Sequence, residues 1–417
     1  MSRPAAIPDI GPVAGRVTGW RDLFAERARG DGGDAIAEII GLAGRADVIS
    51  FAGGFPDPAA IDREALAEIS ASVSLEHDAA GLQYSPTRGL PSFRAFLGER
   101  LERHEGRAVA DEELLVTSGG IEAMELAATV FLEPGDAVVV EAPIYLGALM
   151  CFASHGARIE AITVDDDGLD VDRLATALAA GLRPKFVYTN PDHQNPGGVT
   201  LSGERRQTLV ELAAAYGFLV VEDVAYREFT YDHHPQPSLW SLAPEVVVQI
   251  GTFSKILSPG FRLGWAVGPS EVVDGFAWAK QLTDQCSSAF TQRVAEEVGR
   301  RGHLERQVAD ATDLYAERCA AMMRHLEAEM PDGVTWTRPS GGFFTWLTLP
   351  EGMDSLDVGR RCAAAGVAVV PGAPFFLDDR GRGHVRVCFS RSPVEEIEQG
   401  VRLLADVLRQ RPKGAGT

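Results

Sequence analysis

The stretch that decides the fold is residues 251–262, whose sequence is GTFSKILSPGFR. The residues directly before it, Val246–Ile250, form a mostly apolar run that predicts a buried β-strand. A lysine that follows such a strand, among hydroxyls and glycines, lies at the carboxyl edge of a sheet, where open α/β folds bind ligands. We therefore expect an α/β protein with Lys255 at its ligand site.

The side chains around Lys255 indicate the kind of ligand. An amine that loses part of its hydration becomes a nucleophile that can form a Schiff base with an aldehyde. Thr252, Ser254 and Arg262 supply the hydroxyl donors and the cation that a phosphate requires. Pyridoxal phosphate is an aldehyde that carries a phosphate. On this stretch alone, a surface lysine without a function is the alternative.

The composition is that of a globular protein with an excess of acidic residues. The chain has 417 residues, 45% of them hydrophobic, and its 59 acidic and 39 basic residues leave a formal charge of −20. Nucleic acids and anionic membranes require basic surface, so we expect neither as a partner. No apolar stretch approaches the roughly 20 residues of a membrane span, and Met1–Gly19 lacks the pattern of a secretory signal.

The cysteines indicate the compartment. The chain has five of them, and they are Cys151, Cys286, Cys319, Cys362 and Cys388. They form no C-x-x-C pair and no cluster with histidines, which argues against a disulfide framework and against a metal site. We expect a cytoplasmic protein without a metal.

The middle of the chain alternates short buried strands with longer amphipathic segments. Strand candidates lie at residues 114–117, 137–140, 185–188 and 218–221. This order predicts a mostly parallel sheet with helices on both faces, which is the α/β class. From about residue 300, a long charged helix pattern followed by short strands and helices predicts a smaller α+β domain.

The length suits one large domain with a smaller companion. We expect a flexible N-terminal arm at residues 1–32 and a segment at 33–60 that packs with the small domain, with a helical stretch at about 33–42. The large cofactor-binding domain then spans residues 61–300, and the small domain spans 301–417.

Asp223 and Tyr226 follow a strand candidate, and their chemistry suits a pyridine ring. Asp223 ends an apolar run, where a carboxylate is rarely found without a partner. A protonated pyridine nitrogen is such a partner, and it lets the ring accept electrons from the substrate Cα. Tyr226 would hydrogen-bond O3′ of the ring. The alternative for Asp223 is a helix N-cap.

Further candidates follow neighbouring strands. Gly120 and Ile121 open a helix whose first N–H groups would bind phosphate, with a plain tight turn as the alternative. Asn195, in a rigid loop rich in proline and glycine, would donate to O3′, and Tyr145 would stack on the ring. Arg386 lies among apolar strand residues and requires an anion; we expect a substrate α-carboxylate, with an internal salt bridge as the alternative.

Seven ordered segments carry a resemblance to a known family. They are ISFAGGFPD at 49–57, QYSPTRG at 83–89, NPDHQNPGG at 190–198, VEDVAY at 221–226, the lysine segment at 251–265, GGFF at 341–344 and HVR at 384–386. The chain resembles the fold-type I, pyridoxal-phosphate-dependent aminotransferases of class I/II. It is most similar to the group of 2-aminoadipate and kynurenine aminotransferases. The resemblance spans about residues 33–408.

The resemblance implies a mostly parallel, seven-stranded type of sheet flanked by helices, and the transfer of an amino group from an L-α-amino acid to 2-oxoglutarate or pyruvate by a ping-pong mechanism. Lys255 would hold the cofactor as a Schiff base and move a proton between Cα and C4′. Tyr84 would reach the phosphate bound by a partner subunit, which implies a homodimer. The other implied cofactor contacts are Gly120, Ile121, Tyr145, Asn195, Asp223, Tyr226, Thr252, Ser254 and Arg262. The implied substrate contacts are Gly54, Asn195 and Arg386.

Two departures and two rival functions qualify the resemblance. Relatives often have Gly-Ser-Gln at residues 119–121, so a phosphate-binding hydroxyl and a polar side chain are missing here, although the backbone can still serve. Ala37 stands near the place of a specificity arginine, so substrate preference does not transfer. One rival is another pyridoxal-phosphate reaction, such as cyclisation, replacement or oxidation. The other is a ligand-sensing transcription regulator, which needs a basic winged-helix domain. The residues before Ile49 lack that pattern, and the charge of −20 opposes it.

Overall fold

The computed structural model describes residues 19–28, 47–76 and 79–410. The helical stretch expected at 33–42 and most of the arm expected at 1–32 therefore lie outside the described residues. The strands within them are β1 (Ile49–Ser50), β2 (Leu114–Thr117), β3 (Ala137–Ala142), β4 (Arg158–Asp165), β5 (Gly168–Leu169), β6 (Phe186–Thr189), β7 (Leu219–Asp223), β8 (Val247–Thr252), β9 (Gly264–Val267), β10 (Thr335–Trp336), β11 (Phe344–Thr348), β12 (Val367–Ala368), β13 (Val370–Pro371) and β14 (His384–Cys388).

The α-helices lie between the strands from β2 to β9, and further helices precede and follow this part of the chain. They are α1 (Arg63–Ser74), α2 (Pro91–Glu105), α3 (Gly120–Phe131), α4 (Leu146–Ser154), α5 (Val171–Ala179), α6 (Gly203–Tyr216), α7 (Leu239–Leu242), α8 (Phe253–Ile256), α9 (Ser270–Thr283), α10 (Ala289–Arg300), α11 (His303–Glu329), α12 (Ser355–Ala365) and α13 (Val394–Arg409). None of these helices is both long enough and apolar enough to span a bilayer.

The larger sheet confirms the α/β prediction. Its strands lie in the order β2-β9-β8-β7-β6-β3-β4-β5. The pairs from β8 through β7, β6 and β3 to β4 are parallel. Strand β9 is antiparallel to both of its neighbours. The sheet has eight strands where a seven-stranded type was expected, because the two-residue β5 folds back antiparallel on the end of β4.

The central strands are buried on both faces, which explains their nearly continuous apolar sequences. Val187 and Val220 point into one core, whereas their neighbours Phe186 and Val221 point into the other. Each such side chain contributes roughly 1.5–3 kcal/mol when it is fully buried. Because β7 and β8 are parallel and adjacent, their carboxyl ends lie side by side, with Asp223 paired to Ile250.

The smaller sheet places Arg386. Its antiparallel order is β10-β11-β14-β13, and Arg386 on β14 lies between Trp346 on β11 and Val370 on β13. The alternate residues Val385 and Val387 point into the apolar core beneath this sheet. Arg386 therefore points away from that core.

The segment that contains β1 pairs with strands of the C-terminal part of the chain. Strand β1 pairs in parallel with β12, and the Cys388 N–H donates to the Phe51 carbonyl at 2.8 Å. This pairing holds the Phe51–Phe55 loop beside the strand that carries Arg386. The division of the chain into four parts remains a prediction.

Candidate active site

The predicted site residues meet in one cavity of about 840 Å³. It lies where the carboxyl edge of the larger sheet faces the Phe51–Phe55 loop and β14. Of the residues predicted from the sequence, those that line it are Gly54, Gly120, Ile121, Tyr145, Asn195, Asp223, Tyr226, Thr252, Ser254, Lys255, Arg262 and Arg386. Tyr84 does not line it, and its side chain is 83% exposed.

Lys255 lies on the short helix α8, directly after β8. Its Nζ donates to the Gly54 carbonyl at 2.8 Å and lies 5.9 Å from the centre of the Tyr226 ring. Burial lowers the pKa of Lys255 to about 8, against the smaller opposing effect of Asp223. At neutral pH a larger fraction of this amine is therefore unprotonated than of a lysine in water, as a nucleophile requires.

Asp223 ends β7 and is held from two sides. One carboxylate oxygen accepts from the Tyr188 hydroxyl at 2.8 Å, and the other accepts from the Ala225 N–H at 3.1 Å. Burial raises the pKa of Asp223 to about 6, while the bond from Tyr188 lowers it. The group is therefore a carboxylate at neutral pH. It caps no α-helix, because the turn after it leads into a 3₁₀ helix that begins at Arg227.

Asn195 and Tyr226 lie together at the same edge. The Asn195 Nδ2 is 3.4 Å from the Tyr226 hydroxyl. The loop that carries Asn195 is held by Asn190, whose Oδ1 accepts from the Asn195 N–H at 2.9 Å and whose Nδ2 donates to the Asp223 carbonyl at 2.6 Å. Two potential donors to a ring oxygen are thus fixed beside the carboxylate.

An anion-binding corner lies at the start of α3. The N-cap residue Gly119 has a φ of 111° and offers no side-chain cap to the first N–H groups of the helix. The backbone angle favours glycine here, and the missing Cβ leaves room for the Arg262 guanidinium, an Nη of which would lie 2.9 Å from a Cβ at Gly119. The Ser254 N–H donates to the Thr252 Oγ1 at 3.1 Å. Helix N–H groups, two hydroxyls and a guanidinium are the donors that a phosphate requires.

The loop at this corner is fixed by a buried ion cluster that the sequence did not reveal. The Ser118 N–H donates to a carboxylate oxygen of Glu122 at 2.5 Å, and the Ser118 hydroxyl donates to Asp284 at 2.7 Å. Both carboxylates bind the fully buried Lys280 at 2.8 Å. The backbone before Gly119 is therefore rigid although residues 120 and 121 have no polar side chain.

Arg386 is a buried cation that no carboxylate among the described residues neutralises. Its two Nη atoms donate to the Asn195 Oδ1 at 2.8 Å and to the Ala52 carbonyl at 2.7 Å. Its Nε is buried and has no hydrogen-bond partner within the described chain. The rings of Phe344 and Phe375 lie 4.5 and 5.2 Å from the guanidinium carbon. The internal salt bridge considered from the sequence is thus not formed with any residue that the structure describes, and the group is available for an anion.

Sequence reasoning did not select Tyr188, Asn190 or Arg391 for the site. Tyr188 lies inside a predicted strand, and only its position opposite Val221 on β7 brings its hydroxyl to Asp223. Asn190 follows the same strand directly, and an asparagine at such a position only weakly indicates a site residue. Arg391 lines the cavity from a loop beyond β14, and the sequence gave no signal for it.

The residues present fit pyridoxal phosphate. A buried lysine and a buried carboxylate face the same cavity as an anion-binding helix start. Gly119 leaves room for the close approach of Arg262, and Arg386 keeps a buried N–H that finds no partner in the described part of the chain. This donor set matches an aldehyde, a protonated ring nitrogen, a phosphate and a carboxylate.

A lysine directly after one strand and an aspartate at the end of its parallel neighbour are the arrangement of the pyridoxal-phosphate enzymes of fold type I. Within that class, the family model of aminotransferase class I and II matches residues 46–404. The chain belongs to this family. It is a pyridoxal-phosphate-dependent enzyme that transfers an amino group from an amino acid to a 2-oxo acid, as predicted.

The chain is also similar to individual proteins that are named as aminotransferases. Aromatic-amino-acid aminotransferase 1 of Thermococcus litoralis is 38% identical over 399 residues, which are 94% of this chain and 96% of the relative. The 2-aminoadipate transaminase of Thermus thermophilus is 36% identical over 394 residues, 94% of this chain and 97% of that one. The structure of Pyrococcus horikoshii kynurenine aminotransferase in complex with PMP covers 94% of this chain and 98% of its own, with a TM-score of 0.89 and 37% identity.

Proposed function

We propose that the enzyme transfers the amino group of an L-α-amino acid to 2-oxoglutarate or pyruvate, with Arg386 binding the α-carboxylate of each substrate. The observation that carries this proposal is the buried guanidinium of Arg386, which has an N–H without a partner among the described residues and shares a cavity with Lys255. A buried cation without a counter-ion is costly, and a carboxylate ligand offsets that cost. Arg386 would therefore fix the orientation of the substrate Cα relative to the Lys255 amine.

The roles of the other residues follow from their positions. Bound pyridoxal phosphate supplies an electron sink for the substrate Cα. Asp223 stabilises a positive charge at the ring nitrogen, because its carboxylate is buried and ionised. Asn195 and Tyr226 donate to the ring oxygen O3′. Lys255 would hold the cofactor through its amine, and the same amine, when free, would carry a proton between the substrate Cα and C4′.

The remaining contacts hold the two ends of the cofactor. Gly120 and Ile121 offer backbone N–H groups to the phosphate, and Thr252, Ser254 and Arg262 surround it; this corner supports a dianion because the N-terminus of α3 points at it. Tyr145 lines the cavity just before α4, where its ring would stack on the pyridine. Gly54 would contact the substrate, because its carbonyl accepts from Lys255; a side chain at Gly54 would lie 2.7 Å from the Phe344 ring.

The test of this function is the absorbance of the purified, cofactor-loaded enzyme as single L-amino acids are added without an oxo acid. We expect a visible band of the lysine-bound cofactor. A good donor converts that band to near-ultraviolet absorbance, and 2-oxoglutarate or pyruvate restores it, as ping-pong kinetics require. The two oxo acids are tested separately. A band that no amino acid converts, or one that neither oxo acid restores, would contradict the proposed substrates.

We further infer that the active unit is a homodimer in which Tyr84 reaches the neighbouring site. Tyr84 is exposed and remote from the cavity of its own chain, while Ile121 and Arg262 are exposed at the phosphate corner. Trp278 and Leu282 are also exposed, four residues apart on α9, which packs against α3. An exposed apolar stripe beside the phosphate corner supports a subunit contact there.

Replacement of Tyr84 by phenylalanine is expected to weaken pyridoxal phosphate binding about 10-fold, the value of one hydrogen bond to a charged group. Equilibrium dialysis measures the affinity, and analytical ultracentrifugation measures the mass of the assembly. Tyr216→Phe removes a hydroxyl from α6, outside the cavity, and is the matched control. A monomeric wild-type enzyme, or unchanged affinity in the dimeric variant, would contradict the inference.

We also propose the cytoplasm as the compartment. None of the five cysteines forms a disulfide in the structure, and four of the thiols are buried. Thiols persist in this state in a reducing compartment, which supports the cytosol.

A further inference from the structure

Glu141 is a buried carboxylate for which the proposed reaction has no role. It is the last residue but one of β3, at the same edge of the larger sheet as Asp223. Among the described residues no cation pairs with it. Its Oε1 accepts from the Thr189 hydroxyl at 2.5 Å, and its Oε2 accepts from the Asn190 N–H at 3.2 Å and the Gln194 Nε2 at 3.0 Å. Three uncharged donors therefore take the place of a counter-ion.

The charge of Glu141 is not what stability alone would select. Burial raises the pKa of Glu141 to about 6, and the charge of Asp223 acts in the same direction, while the three hydrogen bonds lower it. The group is therefore mostly ionised at neutral pH. A second buried negative charge within electrostatic reach of Asp223 is costly, and such features are concentrated at functional sites.

The three donors belong to the chain segment that leads to Asn195. The backbone of Asn190 is held by Glu141, and the Asn190 Oδ1 accepts from the Asn195 N–H at 2.9 Å. The Gln194 side chain reaches past Asn195, because its Nε2 donates to Glu141 while its Oε1 accepts from the Gly197 N–H at 2.6 Å. Glu141 therefore fixes the turn at residues 190–197 on both sides of Asn195.

This turn determines how far the Asn195 amide reaches into the cavity. The Asn195 Oδ1 accepts from Arg386 at 2.8 Å, and the Asn195 Nδ2 lies 3.4 Å from the Tyr226 hydroxyl. Arg386 thus sets which way the amide faces, whereas the turn sets the position of its backbone. Hydrogen bonds weaken steeply outside a narrow range of distance and angle, so a small shift of the turn would weaken a bond from Nδ2.

The rest of the loop has supports of its own. The buried Asp192 pairs with the buried Arg206 at 2.6 Å, and the His193 ring lies 2.9 Å from the Thr230 hydroxyl. Loss of the Glu141 carboxylate is therefore expected to displace the turn without unfolding the loop.

We propose that Glu141 is a positioning residue of the transfer reaction, whose carboxylate holds the turn at residues 190–197 so that the Asn195 amide can donate to the ring oxygen O3′. This inference rests on the proposed function, in which Asn195 makes that contact. Glu141 itself does not line the cavity, so it acts through Asn195 and not on the reacting atoms.

The absorbance of the cofactor-loaded enzyme reports the placement of the amide. A donor to O3′ shares the negative charge of that oxygen, which then holds the proton of the adjacent Lys255 nitrogen less tightly. Loss of the donor therefore raises the pH midpoint at which the visible band of the lysine-bound cofactor changes. Removal of a nearby negative charge alone lowers this midpoint, because a carboxylate favours the protonated, positive form. The two effects differ in sign.

The test measures this pH midpoint in single variants. Glu141→Leu removes the acceptor and is expected to raise the midpoint by about one pH unit, the value of one hydrogen bond to a charged group. Asn195→Ala is expected to raise it by a similar amount. Glu141→Gln keeps an acceptor for Asn190 and Gln194 if the Thr189 hydroxyl accepts from the new amide, so its shift is expected to be smaller than that of Glu141→Leu.

Two further variants separate positioning from charge and from general stability. Glu141→Asp keeps the charge but shortens the reach by one methylene, and it is expected to raise the midpoint even if Glu141→Leu fails to fold. Glu222→Leu is the matched control. Glu222 is a fully buried carboxylate on β7 that also accepts from three N–H groups, those of Leu239, Trp240 and the Gln249 side chain. Its loss should lower the melting temperature and leave the midpoint unchanged.

The double variant shows whether Glu141 acts through Asn195. Glu141→Leu is expected to add no further shift to that of Asn195→Ala, because both changes remove the same hydrogen bond. Additive shifts would reject the positioning role. A lower midpoint in both Glu141→Leu and Glu141→Gln would also overturn it, because the charge would then act through space.

The same measurements distinguish failure of this inference from failure of the proposed function. An unchanged midpoint in Glu141→Leu and Glu141→Asp, with a raised midpoint in Asn195→Ala, would reject only the role of Glu141. An unchanged midpoint in Asn195→Ala would reject the contact of Asn195 with O3′, and the role of Glu141 with it. The amino donors and acceptors are decided separately, by the conversion of the visible band.

Discussion

The Lys255→Ala variant is expected to lower the rate of the first half-reaction by at least about 10⁴-fold, the upper end of what a single general base contributes. The variant loses both the nucleophile that attaches the cofactor and the base that moves the proton. Among the described residues that line the cavity, Lys255 is the only lysine, so no other lysine amine among them replaces it. Single-turnover absorbance with a good donor measures the rate.

If the rate falls because the amine is missing, an added amine should restore part of it. Small primary amines added to the Lys255→Ala enzyme enter the space of the deleted side chain and are expected to restore part of the rate. Lys185→Ala, which removes a half-exposed lysine paired with Asp136 outside the cavity, should behave as wild type. A Lys255→Ala enzyme that keeps a rate near wild type would show that another group moves the proton.

The Asp223→Asn variant is expected to slow the half-reaction about 10²- to 10³-fold, the usual cost of losing one preorganised electrostatic partner. An amide keeps the size of the side chain but has no negative charge to hold the ring nitrogen protonated. Burial raises the pKa of Asp223 to about 6 in the cofactor-free protein. The positive ring nitrogen would lower this pKa again, so the carboxylate is ionised in the working enzyme at neutral pH.

Two control variants test whether the charge of Asp223 is what matters. Glu222→Gln removes the carboxylate of the preceding residue on β7, which faces away and accepts from the Leu239 and Trp240 N–H groups. It should leave the half-reaction rate unchanged even if it alters stability. Tyr188→Phe removes only the bond to the Asp223 carboxylate and should have a smaller effect than Asp223→Asn. A rate in Asp223→Asn close to wild type would show that the ring needs no charged partner.

The ends of the strands could be predicted from the sequence, because the apolar pattern of a buried strand depends only on neighbouring residues. Residues 114–117 were predicted as a strand and form β2 with the same bounds, and the runs before Asp223 and Lys255 became the neighbouring strands β7 and β8. A parallel sheet brings the residues after its strands to one edge, so Lys255, Asp223 and Asn195 could be predicted to meet there. The roles of these residues came from their order along the chain, which resembles that of a known family.

The position of Arg386 shows where such reasoning ends. Its surroundings in the sequence required an anion, but they did not distinguish an internal salt bridge from a substrate. Only the packing of β14 against β11 and the Phe51–Phe55 loop shows that no described carboxylate reaches it. Tyr84 is the converse case, because a contact with a partner subunit cannot be read from one chain.

What the sequence by itself determined is the α/β class, the family and the residues that follow the strands, because each of these depends on patterns within a few neighbouring residues. What only the tertiary structure decided is which distant groups meet. The bond from Tyr188 to Asp223, the buried cluster around Lys280 and the place of Arg391 in the lining of the cavity join residues that are far apart in the chain. Such contacts depend on how the sheets and helices pack, and no local pattern encodes that packing.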